Sequence, residues 1–154
     1  IPLTGSMPDD TFAIHLVDEA KSNTEVAGVA LEDLELKETP IISADDIISY
    51  TRESHRIELA PAAYENLLAA LDRMGTGGRP FVVCVGPQRI YAGAFWTPVS
   101  SQSFDGIAIV LLQNEEHTIR VQLGYPESIE LFRGFDLRAD PRILRSLEEA
   151  GKLQ

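Results

Sequence analysis

Phe81-Val82-Val83-Cys84-Val85-Gly86-Pro87-Gln88-Arg89-Ile90-Tyr91-Ala92-Gly93-Ala94-Phe95-Trp96 is the stretch that decides the fold. Residues 81–85 are apolar without a break, the pattern of a strand buried on both faces. Gly86-Pro87 is a turn signal. Residues 90–96 then return as a second strand, so the stretch reads as a hairpin. Side chains alternate along a strand, which puts Tyr91 and Phe95 on one face and Trp96 on the other.

Working outward, residues 11–17 (TFAIHLV) read as a strand with Phe12, Ile14 and Leu16 on one side and Ala13, His15 and Val17 on the other. Residues 18–38 are polar and acidic, with a short extended candidate at 34–36. Ser43, Asp45 and Asp46 are helix-start residues, since a hydroxyl or carboxylate satisfies the free amides of a first turn. They predict a short helix over about 44–49, with Ile47 and Ile48 as its apolar contact. Residues 56–59 alternate charged and apolar, as a half-buried strand does. Pro61 opens a helix over about 61–74. Ala63, Tyr64, Leu67, Leu68, Leu71 and Met74 form its apolar stripe, Asp72 lies on its polar side, and Gly75 stops it.

Past the hairpin, residues 107–112 are apolar on both faces and residues 118–123 alternate, with a turn at 114–117, which predicts a second hairpin. Asp140 and Pro141 start a last helix over about 141–150, with Ile143, Leu147 and Ala150 as its stripe and Gly151 as its stop. The fold class is α+β: a mainly antiparallel sheet with two principal helices and one short one. Two helices cover one sheet face. The other needs the 97–105 loop, the terminal segments or a partner.

Composition narrows the function. The chain has 154 residues, the size of one domain, and a net charge of −11. Such a surface repels phosphate backbones and anionic lipid, so nucleic acid is not an expected partner. No apolar run approaches the roughly 18 residues of a membrane span, so the chain is not expected to sit within a bilayer. Cys84 is the only cysteine, which rules out an intramolecular disulfide and a cysteine-based zinc site. Residues 1–6 (IPLTGS) read as a cloning remnant ahead of a domain spanning 7–154, with any native leader cut away upstream.

No motif for chemistry stands out. His15, His55 and His117 fall in different elements, with no zinc-binding spacing. The adjacent carboxylates (Asp9-Asp10, Asp18-Glu19, Glu32-Asp33, Asp45-Asp46, Glu115-Glu116) read as solvated loops and helix starts rather than an acid/base pair. Cys84 lies mid-strand among apolar residues, the setting of an inert thiol. Gly75-Thr76-Gly77-Gly78 follows a helix and precedes a strand, the reverse of a phosphate cradle. No catalytic, cofactor-binding or metal-ligating residue is therefore assigned, and no cofactor is expected. Tyr91, Phe95 and Trp96 are marked as an interaction surface, with Phe104, Tyr125, Phe132 and Phe135 read as loop aromatics.

From Leu36 the order of elements resembles the head part of the first extracytoplasmic domain of SecD and SecDF export proteins. Residues 37–47 (KETPIISADDI) are similar to the segment that introduces its first helix, and residues 56–64 (RIELAPAAY) to its strand running straight into a helix. Residues 78–85 (GRPFVVCV) with 90–94 (IYAGA) are similar to its next hairpin, and the likeness covers about 12–97. Residues 105–154 do not follow the pattern, and the proline usual after the small residues at 92–94 is missing. The resemblance implies a stand-alone, lipoprotein-like relative in the periplasm or at a bacterial cell surface, a non-enzymatic domain that contacts polypeptide or another protein. Two alternatives are a small hydrolase or metal-dependent enzyme assembled from the scattered histidines and carboxylates, and a cytoplasmic homodimer.

Overall fold

The strands follow from the apolar patterning. A computed structural model describes residues 11–17, 30–72, 79–96, 104–111, 115–125, 127–128, 130, 132 and 135–154. In chain order its elements are β1 (Phe12–Leu16), β2 (Ile42–Ser43), β3 (Ile47–Thr51), β4 (Arg56–Leu59), α1 (Pro61–Leu71), β5 (Arg79–Val85), β6 (Gln88–Trp96), β7 (Phe104–Leu111), β8 (Thr118–Tyr125) and α2 (Pro141–Glu149). The eight strands form one sheet in the order β2-β1-β5-β6-β7-β8-β4-β3. Both expected hairpins are present, β5–β6 and β7–β8. They join through β6–β7, the one parallel pair among the described strands, with Gly93 opposite Ile107 and Trp96 opposite Val110. The fold is therefore α+β with a mixed, mostly antiparallel sheet.

Both helices lie on the same sheet face, over the main core. Leu67 and Leu71 of α1 and Ile143 and Leu147 of α2 are buried there with Phe12, Phe81 and Phe95. Asp72 is exposed, as its place on the polar side requires. Leu68, expected in the stripe, is 42% exposed. The α1 backbone ends at Leu71, with the Asp72 N–H donating to the Leu68 carbonyl, and Met74 and Gly75 lie outside the described residues. The Asp140 carboxylate caps α2 by accepting from the Arg142 N–H at 2.9 Å. The buried Ser146 hydroxyl accepts from the Phe12 N–H at 2.8 Å, fixing α2 to β1. Ser146 thus occupies a buried place, while Ala150 is exposed.

The expected helix over 44–49 is a single 3-10 turn, Ala44–Asp46. Asp46 accepts from the Ser43 N–H at 2.9 Å and from the Ser43 hydroxyl at 3.1 Å, so the capping chemistry is real but closes only one turn. Ile47–Thr51 goes into the sheet instead, because β-branched and aromatic residues fit a pleated, half-buried surface and β4 offers a partner strand. The register shift between Ile47 and Ser49 leaves Ile48 49% exposed rather than in apolar contact.

The second sheet face is buried as well: Val82, Ala94 and Ala108 are fully covered. Part of the cover comes from residues 31–36, within the stretch read from the sequence as polar and acidic with a short extended candidate at 34–36; Leu36 makes an isolated antiparallel bridge with Val17. Leu34 packs on Val17, Val82 and Cys84, with Leu31 and Leu36 beside them. Arg89 holds this segment in place, donating from Nη1 to the carbonyls of Leu31 (2.8 Å) and Leu34 (2.6 Å). Of the loop expected at 97–105 as a cover, residues 97–103 lie outside the described residues and 104–105 begin β7. At the far edge, residues 152–154 run beside β3: the Tyr50 N–H donates to Lys152 and the Gln154 N–H to Tyr50, both at 2.8 Å.

Candidate functional site

The alternation along β6 separates the three marked aromatics. Tyr91 and Phe95 face the helices, 5% and 0% exposed, packed edge-on and tilted against Phe81 at centroid distances of 6.3 Å and 5.1 Å. The sequence marks both as part of an interaction surface. The two rings instead sit under the helical layer and offer no surface, because the helices cover the face that carries the larger side chains. Trp96 points to the opposite face, where it stacks on Phe104 with centroids 5.1 Å apart and planes 10° from parallel, and meets Tyr125 at 6.2 Å.

Phe104 and Tyr125, expected in loops, are the paired ends of β7 and β8. Gly106 leaves room for the ring where it stands: a Cβ there would lie 2.7 Å from Cζ of Phe104, and the ring would have to shift. Trp96 is buried, whereas Phe104 and Tyr125 are half-buried and form the accessible rim of the group. These two partners of Trp96 were readable only as separate aromatics, since their meeting depends on how the two hairpins join. Phe132 packs against the main core, and Phe135 is 84% exposed.

The histidines stay apart. The His15 Nδ1–H donates to the Lys37 carbonyl at 2.8 Å, and His117 packs edge-on against Tyr64. His55 meets the Tyr50 hydroxyl through Nδ1 at 3.0 Å. Among the described residues no three His, Cys, Asp or Glu side chains gather as metal ligands would. The Tyr50–His55 pair belongs to a polar group that sequence reading missed. Arg138 pairs with Asp136 through Nε (2.9 Å) and Nη2 (3.0 Å) and also donates to the Val121 carbonyl. Burial pushes the Tyr50 and Tyr91 phenols up, so both stay protonated. Hydrogen bonds from Arg138 hold the Asp136 carboxyl down.

Cys84 is buried on the second face, and burial pushes its thiol up against the opposing pull of Arg89. Alkylation of the native protein should therefore be slow, and Cys84→Ala should cost about 1 kcal/mol, the loss of one small apolar group. Rapid labelling at neutral pH would contradict this.

Comparison with family models, curated proteins and solved structures gave no match for the chain. No helix among the described residues is long and apolar enough to cross a membrane.

Proposed function

We propose that this chain is a non-enzymatic interaction domain that binds polypeptide at the Trp96–Phe104–Tyr125 end of its second sheet face. One observation carries the reading: two half-buried aromatic side chains flank a buried tryptophan on the face away from the helices. Aromatic side chains that combine rigid apolar area with partial exposure are the residue types that dominate binding energy at protein interfaces. The SecD-like order of elements supports the same class of ligand and an extracytoplasmic setting. A hydrolase or metal enzyme draws less support, because the described histidines serve three separate local contacts.

Trp96 is the only tryptophan, so its emission reports this site alone. Titrating a reduced, carboxymethylated unfolded polypeptide into the native protein should shift that emission saturably. Phe104→Ser and Tyr125→Ser should each weaken binding about tenfold or more, as loss of an aromatic hot spot does, with the circular dichroism spectrum unchanged. No saturable shift, or equal binding by both variants, would remove the proposal. Light scattering on the same samples separates polypeptide capture from self-association, the outcome expected of a homodimer.

A further inference from the structure

The two edges of the sheet are protected differently. At one end β2 is only two residues long. Beside it the Lys37 and Ile41 N–H groups donate to Leu16 and Ile14, both at 2.9 Å, so the chain lines β1. At the other end β3 (Ile47–Thr51) is the last strand, and none of its five residues is charged or proline. A strand of this kind invites pairing with another chain, which lysine, proline or a bulge commonly blocks. β3 carries only a register shift between Ile47 and Ser49, ahead of the ladder at Tyr50 and Arg52.

Residues 152–154 occupy that ladder. They run parallel to β3 with Leu153 beside Tyr50. The Tyr50 N–H donates to Lys152 and the Gln154 N–H to Tyr50, both at 2.8 Å, and the Arg52 N–H donates to Gln154 at 3.1 Å. We propose that residues 152–154 are a removable edge guard, and that β3 without them pairs antiparallel with β3 of a second copy of this chain. The guard is held lightly. Leu153 is half-buried against the main core and Gln154 is exposed. Three backbone hydrogen bonds and part of one leucine gain about as much as ordering three residues costs. The Lys152 N–H belongs to the end of α2, donating to Leu147 at 2.9 Å, so release of the residues after it leaves that helix capped.

A second copy fits the vacated ladder by symmetry. The N–H and carbonyl of Tyr50 both point outward, as their bonds to the guard show. Opposed residues in an antiparallel pair can exchange both bonds. Tyr50 set against Tyr50 of the other copy therefore satisfies all four groups about a two-fold axis, a contact that closes at two copies. The same register puts Ser49 opposite Thr51 and Ile48 opposite Arg52, so no like charges face each other. Ile48, 49% exposed, is then covered by the aliphatic stem of an arginine. The net charge of −11 on each copy opposes their approach, so pairing strengthens as salt screens it.

The test combines sedimentation velocity with amide exchange on full-length chains. Leu153→Asp with Gln154→Pro removes the apolar anchor and the donor to Tyr50 without shortening the chain. This variant should dimerise at least about tenfold more tightly than the unaltered protein, and more tightly again in higher salt. Adding Ile48→Lys opposes two cations at both ends of the symmetric contact and should weaken the dimer about tenfold. The unaltered chain gives a reading that needs no variant: in its dimer, formed on concentration, the Gln154 amide should lose protection while the Tyr50 amide keeps it. A variant that stays monomeric with freely exchanging Tyr50 and Arg52 amides would overturn the proposal. So would a dimer indifferent to Ile48→Lys, a dimer of the unaltered chain with Gln154 still protected, or assembly beyond two copies.

Discussion

Gly93→Ala should lower the melting temperature by roughly 10 °C. The cause is space. Gly93 lies in β6 between Phe81 of β5 and Ile107 of β7. A Cβ at this position would fall 2.7 Å from Cζ of Phe81 and closer still to the carbonyl oxygen of Ile107. The phenyl ring can swing aside only into a filled core, where Phe81 is fully buried. The carbonyl belongs to the backbone of β7 and retreats only if the parallel pair separates. Overpacking costs about 1–3 kcal/mol, occasionally more, and a clash with strand backbone belongs at the upper end. At about 3 kcal/mol, a chain of this length loses roughly 10 °C. Differential scanning calorimetry measures this directly. A melting temperature within about 3 °C of the native value would mean that β6 and β7 are not in contact at Gly93.

This glycine also marks where sequence reading reaches its limit. The strands β5, β7 and β8 are legible because burial on two faces or one writes itself into the residue pattern. The starts of α1 and α2 are legible from Pro61 and from Asp140-Pro141, which serve the unpaired amides of a first turn. The parallel contact between the two hairpins leaves no such trace, since Gly93 reads locally as one more small residue in an apolar run. Residues 43–46 mislead for a related reason: a 3-10 turn and a helix start need the same hydroxyl and carboxylate. Ile47–Thr51 becomes a strand because residues 56–59 supply it with a partner, which the local pattern does not record. Similarly, alternation correctly divides Tyr91 and Phe95 from Trp96, but it carries no information about which face the helices choose. The Tyr50–His55–Arg138 group is invisible in the sequence, because its members come from separated segments and match no spacing.

Phe95→Ala should destabilise the protein by about 3–5 kcal/mol, the range for removing a large aromatic ring from a core, while leaving the native emission of the adjacent Trp96 nearly unchanged. Phe95 is fully buried, and its ring meets Phe81 in the layer beneath the helices. Truncation there leaves a cavity walled by two helices and the sheet, none of which can collapse without disturbing strand pairing. Trp96 is the next residue along β6, yet its side chain lies across the sheet, against Phe104 and Tyr125. Tyr125→Ala should do the reverse: its ring is half-buried at the rim, so stability changes by about 1 kcal/mol or less for an exposed-side truncation, and Trp96 emission moves to the red as water reaches the indole. Urea denaturation followed through Trp96 gives both quantities from one experiment, the midpoint reporting the core and the native baseline reporting the second face. If Phe95→Ala and Tyr125→Ala shifted midpoint and baseline alike, the two aromatic groups would share one layer. The sheet would then not separate a core that holds the fold from a rim that is free to bind.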